Sequence, residues 1–481
     1  MKQKIFFRAD ASGEIGYGHF TRTLALAEML KENFDCTFFT QTPTEYQRKE
    51  VASICKLEEL PAGDSNFDFF LNKLNGDEIV VLDNYFFSTS YQEKIKSKGC
   101  KLVCVDDMHD EHYVADLIIN QCIEDGELID CEDYSKCCLG LKWALLRLPF
   151  LNAIFEGNRK HKINGQRKRV AICFGGSDLW HFSEKALKWV LSAGNVQKID
   201  VILGSRNSLL NLSDDRVTLH QSISAEKLSN IFLSCDFAIV SASSVCIEAL
   251  SCGANVIAGY YVDNQKDFYN NLVKLDYIQG IGYMPLFDWN SKCKCVDNIL
   301  TYRNISDVFG NIIISYRYNN VFKNLASGLY LRNVEKRDEQ LLLEWRNDSD
   351  VRAQSFKNDI VSAEQHNSWF SNVILDKTRH LYILISERKK VGTIRLDETD
   401  DEVAVAVVNY SISKEYRGLG LGKKIVKLAE EEVKLSSLRI RCMVAFVKQE
   451  NLASRRVFID NGYIESFDSE MNVYKYYKNL L

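Results

Sequence analysis

The feature that most constrains this chain is an apolar run that ends in a glycine turn and restarts as a helix. Ile5-Phe6-Phe7 runs into Arg8 and Asp10. A short polar loop follows, and Gly16-Tyr17-Gly18-His19 then precedes Leu24, Ala27 and Leu30 at helical spacing. A strand, a glycine turn and a helix N-terminus together suit an anion, because free N–H groups and the helix dipole point the same way. Glycine lets the backbone approach a phosphate and take positive φ. His19 then stands where a phosphate-linked substrate would lie, with a side chain able to take a proton near neutral pH. The alternative is a plain strand-to-helix turn with a surface histidine.

Short apolar strands alternate with helical stretches from 1 to about 155, the pattern of βα units on a parallel sheet. The spacing predicts strands over 78–82, ending in Asp83-Asn84-Tyr85, and over 101–105, ending in Asp106-Asp107. Ligands of open α/β sheets collect at the carboxyl ends of strands, although each such Asp can equally be a helix cap. Asp106-Asp107-x-x-Asp110-Glu111 also admits a Mg²⁺ reading. The basic segment 158–169 reads as a solvated hinge. Beyond it the pattern restarts with a strand over 170–174 and a second glycine turn, Gly175-Gly176-Ser177. A strand over 237–240 leads into Ser241-Ala242-Ser243-Ser244 and a helix bearing Glu248. Two lobes, each with its own turn, suggest a ligand held between them.

Arg8-x-Asp10, Gly16-x-Gly18-His19-x-x-Arg22, the serine turn with Glu248, and Asn264-Gln265 come in that order. Together they resemble the UDP-sugar hydrolases of pseudaminic acid biosynthesis, relatives of the MurG-type glycosyltransferases. The resemblance covers 1 to about 320 and implies a two-lobed GT-B-like fold of two Rossmann-like lobes. It implies His19 as catalytic base, with Tyr85 lining the sugar pocket. Arg8, Asp10, Gly16, Gly18, Arg22, Gly175, Gly176 and Ser177 would complete the first-lobe and glycine-turn contacts. Ser243 and Ser244 would hold phosphate, Glu248 the ribose hydroxyls, and Asn264 and Gln265 would lie close to the ligand. No metal is implied. A helix from about 304 to 324 would close the second lobe.

A different pattern begins at Leu329: a strand over 330–332, a helix over 339–345 and then Arg346-Asn347, and two strands over 380–385 and 390–394. A further strand over 402–412 runs into Arg417-Gly418-Leu419-Gly420-Leu421-Gly422-Lys423 and a helix. A strand over 439–447 is followed by Asn451-x-x-Ser454-x-x-Val457-Phe458. These motifs resemble the GNAT acyltransferases, an α+β fold whose Arg-x-x-Gly-x-Gly amides grip the pyrophosphate of acetyl-CoA. Arg417, Gly418, Gly420, Gly422 and Lys423 would do so here, with Asn451 and Ser454 on the pantetheine arm. Backbone groups near Ser411 and Ile412 would polarise the thioester. Many relatives carry a tyrosine where this chain has Phe458 and use it to reprotonate the thiolate; Tyr463, Tyr410 or water would have to serve. Trp345-Arg346-Asn347 is similar to the acetyltransferase of the same pathway and would contact the acceptor sugar nucleotide. His366, Glu398 and Asn409 are all conceivable bases for the amine.

Composition narrows the classes that remain. A net charge of −5 over 481 residues gives no reason to invoke nucleic acid. No apolar run reaches membrane-spanning length. The fifteen cysteines are scattered without paired zinc spacing, which fits free thiols in a reducing cytoplasm. The expected plan is an N-terminal hydrolase lobe over 1–157, a UDP-binding lobe over 166–323 and an acetyltransferase over 328–481, with Asn324 to Gly328 as a short linker. Such a chain would acetylate the 4-amino group of a UDP-linked sugar with acetyl-CoA and hydrolyse UDP from the product. A glycosyltransferase on the same frame and a non-catalytic sugar-nucleotide sensor are the competing classes.

Overall fold

The computed structural model describes residues 2–11, 16–124, 126–157, 168–175, 178, 180–193, 195–204, 214–291, 308–309, 313–399, 404–435, 438 and 440–480. The chain divides into two compact units: Met1–Glu132 with Cys137–Asn320, and Asp133–Lys136 with Val321–Leu481. The first unit holds two sheets and the second holds one.

The N-terminal elements are β1 (Lys4–Ala9), α1 (Gly18–Leu30), β2 (Asp35–Gln41), α2 (Glu45–Ala52), β3 (Lys56–Leu60), α3 (Ser65–Leu71), β4 (Ile79–Asp83), α4 (Thr89–Ser97), β5 (Lys101–Val105), β6 (Leu117–Asn120) and β7 (Lys136–Leu139). Their sheet has the order β3-β2-β1-β4-β5-β6-β7. The pairs around β1 are parallel, with Ala9 opposite Asp83. All five residues of β4 are buried, as a parallel strand covered on both faces requires. Where β1 meets β4 the connection changes direction, and there the carboxyl ends of the two strands lie side by side.

α5 (Leu148–Gly157) leads into the second sheet: β8 (Lys168–Cys173), α6 (Phe182–Leu191), β9 (Val196–Leu203), β10 (Val217–Gln221), α7 (Ala225–Ser234), β11 (Phe237–Ser241), α8 (Ser244–Ser251), β12 (Asn255–Tyr260), α9 (Lys266–Lys274) and β13 (Gln279–Tyr283). Its order is β10-β9-β8-β11-β12-β13. Val170, Ile172, Phe182, Trp189, Ile239 and Trp289 are buried in its core. Burying a side chain of that kind contributes about 1.5–3 kcal/mol each. Both parallel lobes thus follow the expected α/β plan. α10 (Ile314–Ala326) is the described part of the helix expected over about 304–324, residues 304–307 and 310–312 lying outside the described residues, and it hydrogen-bonds the first lobe. Asn319 Nδ2 donates to the Met29 carbonyl at 2.8 Å, and the Tyr318 hydroxyl donates to the Trp143 carbonyl. The expected linker from Asn324 is the last turn of this helix followed by Gly328 at φ +70°, because Val321, Phe322 and Leu325 give α10 a buried apolar stripe to its end.

The second unit contains β14 (Leu329–Asn333), α11 (Glu339–Asn347), α12 (Ser349–Gln354), α13 (Ala363–Val373), β15 (Arg379–Ser386), β16 (Lys389–Glu398), β17 (Val405–Ile412), α14 (Leu421–Leu435), β18 (Cys442–Lys448), α15 (Leu452–Asp460), β19 (Ile464–Asp468) and β20 (Val473–Asn479). Its sheet is mixed, in the order β14-β15-β16-β17-β18-β20-β19. β17 and β18 run parallel and pair only from Val405–Cys442 to Val407–Val444, after which they part. Ala406 and Val408 of β17 point into the core with Ile425, Val426 and Ala429 of α14. Among the described residues, no helix is long and apolar enough to cross a membrane.

Candidate active site

The first turn of α1 is set by the glycines before it. Gly16 takes φ +82°, and an added Cβ at Gly16 or Gly18 would meet nothing within 4 Å, so the turn borders open space. Tyr17, at the N-cap position, makes no side-chain cap bond. The leading N–H groups of α1 therefore lack the partner that Ser or Asp would supply.

His19 is buried, and its Nδ1 lies 2.7 Å from Asp83 Oδ1. The same carboxylate accepts from Arg22 Nε at 2.7 Å, Arg22 Nη2 at 2.6 Å and Thr23 Oγ1 at 2.6 Å. One helical turn of α1 is thereby docked on the end of β4. Arg22 Nη2 also lies 3.1 Å from His19 Nδ1, a nitrogen that cannot accept while its proton is given to the nearer Asp83. The neutral imidazole thus carries its proton on Nδ1 and presents Nε2 as the acceptor. Burial works against the Asp83 charge, yet Arg22 and then His19 hold its carboxyl well below the ordinary range. Arg22 is likewise held charged: burial opposes it, and Asp107 and Asp83 outweigh burial.

Arg22 Nη1 donates to Asp107 Oδ2 at 2.7 Å, and the Tyr85 hydroxyl donates to the same oxygen at 3.3 Å. The Tyr85 ring stands edge-on to His19 with centroids 4.6 Å apart. Asn264 Nδ2 reaches across from the second lobe to the Tyr85 hydroxyl at 2.8 Å. Burial, then Asp107, pushes the Tyr85 hydroxyl up, so it stays protonated. His19, Arg22, Asn84, Tyr85, Asp107 and Asp110 line one pocket. The structure therefore brings together His19, Arg22, Tyr85 and Asn264 from three separated sequence motifs.

Other expected residues play supporting parts. Arg8 is wholly buried, 2.5 Å from Asp10 and 2.7 Å from Asn66, and Asp10 accepts the Gln41 amide at 2.7 Å. The pair staples strand ends together. Asp106 spends one oxygen on the amides of Met108 and His109 and the Tyr113 hydroxyl, and the other on Asn120. Among the described residues, no group of three or more His, Cys, Asp or Glu is placed to hold a metal ion. In the second lobe Gly175 takes φ +83° beside open space; Gly176 and Ser177 lie outside the described residues. Ser243 precedes the first turn of α8, which Ser244 begins, and its hydroxyl is 3.0 Å from that of Ser241. Glu248 is buried and paired with Arg147 at 2.7 Å; burial pushes its carboxyl up and Arg147 pulls it back. Gln265 accepts the Tyr261 amide at 3.1 Å. Sequence reasoning passed over Asp83 as the partner of His19, and Arg147 altogether. The strand end at Asp83 was the available signal for the first; Arg147 stands in no motif.

In the second unit Ser411 and Ile412 lie where β17 has left β18. Gly418 at φ +79° and Gly420 at φ +73° follow, and an added Cβ at either meets nothing within 4 Å. Gly422 differs: its Cβ would come within 3.1 Å of Val457 Cγ2, so it is there for the packing of α14 on α15. Arg417 is held by Asp348 and Asp350, each at 2.6 Å, and by the Ile412 carbonyl at 3.0 Å. Lys423 sits 3.7 Å from Asp460 at the surface. Asn451 caps α15 by accepting the Ser454 amide at 3.0 Å, and Ser454 Oγ lies 3.1 Å from the Tyr410 hydroxyl. Asn347 clasps both the amide and the carbonyl of Val361 at 2.9 Å, Arg346 donates to the Lys357 carbonyl, and Trp345 is half-buried beside them in α11. The Trp-Arg-Asn segment therefore holds the 355–362 loop. Phe458 is buried among Tyr410, Tyr463 and Tyr476. Of the conceivable bases, buried His366 bonds the Glu339 carbonyl at 3.0 Å and Glu398 pairs with His380 at 2.7 Å.

Residues 328–464 match the family model of the acetyltransferase (GNAT) domain. The chain carries a GNAT domain. It follows two parallel Rossmann-like lobes in one chain. Across 99% of its length the chain is 24% identical to an uncharacterised protein of Methanocaldococcus jannaschii, all of which it covers. It is 27% identical, over 57% of its length and 97% of the relative, to the UDP-2,4-diacetamido-2,4,6-trideoxy-β-L-altropyranose hydrolase of Campylobacter jejuni. A solved spermidine N-acetyltransferase from Vibrio cholerae, in complex with CoA and spermine, aligns with 32% of this chain and 96% of its own at 18% identity and a TM-score of 0.30. The GNAT domain and the likeness to a UDP-sugar hydrolase together support a bifunctional sugar-biosynthesis enzyme.

Proposed function

We propose that this chain performs two successive steps on one UDP-linked amino sugar. The GNAT domain transfers acetyl from acetyl-CoA to the 4-amino group, and the two-lobed unit hydrolyses UDP from the resulting UDP-2,4-diacetamido-2,4,6-trideoxy-β-L-altropyranose, a step of pseudaminic acid biosynthesis. The observation that carries the second activity is His19, tied to Asp83 at 2.7 Å beside an uncapped helix N-terminus. Nε2 takes the proton of a water attacking the anomeric carbon, and Asp83 stabilises the imidazolium that forms. The C1–O bond breaks and UDP leaves toward the N-termini of α1 and α8 and the turn at Gly175, where N–H groups and Ser243 and Ser244 meet its pyrophosphate. Glu248 then takes the ribose hydroxyls. In the GNAT domain, the turn from Gly418 to Gly422 receives the pyrophosphate of acetyl-CoA, and amides near Ser411 and Ile412 polarise the thioester. With Phe458 in the usual tyrosine's place, the Tyr410 hydroxyl beside Ser454 is the acid best placed to reprotonate the thiolate. Free buried thiols such as Cys104, Cys173 and Cys246 fit a reducing cytoplasm.

The same frame could transfer sugar, so the decisive experiment is incubation with the diacetamido UDP-sugar in the absence of any acceptor. Mass spectrometry should find UDP and free sugar in equal amounts. A UDP-sugar left intact until an alcohol or lipid acceptor is added would instead make the enzyme a glycosyltransferase.

A further inference from the structure

The open question in the GNAT domain is what receives the acceptor's amine, since His366 and Glu398 are both engaged and Asn409 cannot take a proton at neutral pH. One face of β16 and β17 supplies an answer. Alternation along β16 puts Arg395 and Asp397 on the same face, and the register sets Asp397 opposite Val407 and Arg395 opposite Asn409. Val407 is the last residue at which β17 still pairs with β18. Asp397 therefore stands one strand away from the point where the sheet opens, where a thioester lying in the gap would present its carbonyl carbon.

The two oxygens of Asp397 are treated differently. Oδ2 is fixed by the fork of Arg395, with Nε and Nη2 both at 2.9 Å, and by Asn409 Nδ2 at 3.3 Å. Arg395 is itself braced over the Trp369 ring of α13 at 5.7 Å. Oδ1 is buried from water and makes no hydrogen bond, with Arg379 Nε 3.9 Å away. A carboxylate oxygen in that condition is costly unless a donor arrives. The group expected at this face is a donor: the N–H of an amine about to be acylated.

We infer that Asp397 Oδ1 binds the acceptor amine and takes its proton during acetyl transfer. This rests on the reading of the domain as an N-acetyltransferase. The amine enters uncharged and donates one N–H to Oδ1. Its lone pair forms the N–C bond to the thioester carbonyl, the proton lost from nitrogen passes to Oδ1 and on to solvent, and the C–S bond breaks. The departing thiolate gains a proton in turn, so N-acetyl product and CoA balance amine and acetyl-CoA. Arg395 and Asn409 are positioning residues, holding the carboxylate so that Oδ1 alone faces the amine.

The test uses the full chain and its Asp397→Asn and Asp397→Glu variants. CoA release is followed with acetyl-CoA and a UDP-4-amino sugar, and in parallel with a panel of primary amines including spermidine and an aminoglycoside. Asp397→Asn should lower kcat/KM for the amine by about 10²–10⁴-fold and leave the Kd for acetyl-CoA within about twofold. Asp397→Glu should recover part of the loss. A purely structural role would weaken acetyl-CoA binding along with turnover, and that result overturns the inference, as does an Asp397→Asn enzyme with wild-type kcat/KM. Wild-type acetylation of another amine but not of the UDP-sugar refutes the substrate while leaving Asp397 tested on the amine that works. If the wild type acetylates no amine, both readings fall.

Discussion

Two of the glycine turns of this molecule, at Gly16–Gly18 and at Gly418–Gly420, look alike as sequence and differ in what surrounds them. At Gly16 and Gly18 the turn leads into a helix whose first residues are wired to a buried carboxylate: His19, Arg22 and Thr23 all bond Asp83. At Gly418 and Gly420 the motif's own Arg417 is instead occupied by Asp348 and Asp350 on a half-exposed surface. The first turn is equipped to place a base and keep it in one tautomer. The second offers backbone amides alone, which suffice to hold an anion. A shared phosphate-binding device thus serves proton chemistry only where a charged second layer fixes a side chain against it.

The largest effect that could break this contrast comes from Asp83. Asp83→Asn removes the orienting charge of His19 and leaves Arg22 buried without its main partner. UDP release should fall by about 10²–10⁴-fold while CoA release is unchanged. Stability should drop by about 3–5 kcal/mol, the usual cost of breaking a buried pair from one side. The pH dependence follows from the depressed carboxyl of Asp83. A carboxylate with a lowered folded pKa contributes stability fully above its unfolded value of about 3.9 and loses it as pH falls through the folded one. The gap in unfolding free energy between wild type and Asp83→Asn should therefore hold steady from neutral pH to about pH 4 and narrow below it. A gap already closing near pH 6 would mean that Asp83 is not the anchored charge.

Smaller effects separate the glycines of the second turn. Gly420→Val places a branched side chain at φ +73° in a position with no steric neighbour, so its cost is backbone strain of about 1–2 kcal/mol and a displaced amide. Acetyl-CoA should bind about tenfold or more weakly, with UDP release from acetylated substrate unaffected. Gly422→Ala should do the reverse, costing about 1–3 kcal/mol of thermal stability through the contact with Val457 and changing acetyl-CoA affinity little. Equal losses of affinity in both variants, measured by calorimetry, would erase the distinction drawn between them.

How legible all this was depends on the range of the interaction. The strand at Ile79–Asp83 and the turns at Gly16 and Gly418 announce themselves through local apolar runs and glycines. That Asp83 belongs to His19 follows from β1 lying between β2 and β4, a strand order that no stretch of sequence displays. Asn347 and Asn451 carry the residue types that a ligand site uses, yet their side chains tie down a loop and cap a helix. Asn is favoured for both duties, so type and spacing alone do not separate them. The helix through Ala326 hides a junction that small residues made resemble a linker, because the buried positions Val321, Phe322 and Leu325 show their period only against the partner they pack on.

His19 acts in one chemistry and not the other. The full chain and its His19→Ala variant should be given a UDP-4-amino sugar and acetyl-CoA, and both products followed in one reaction by mass spectrometry. The expected outcome for His19→Ala is acetylation at the wild-type rate, accumulation of the diacetamido UDP-sugar and UDP release lowered by about 10²–10⁴-fold. UDP release at close to the wild-type rate would remove His19 from the mechanism, and loss of both activities together would contradict their separation.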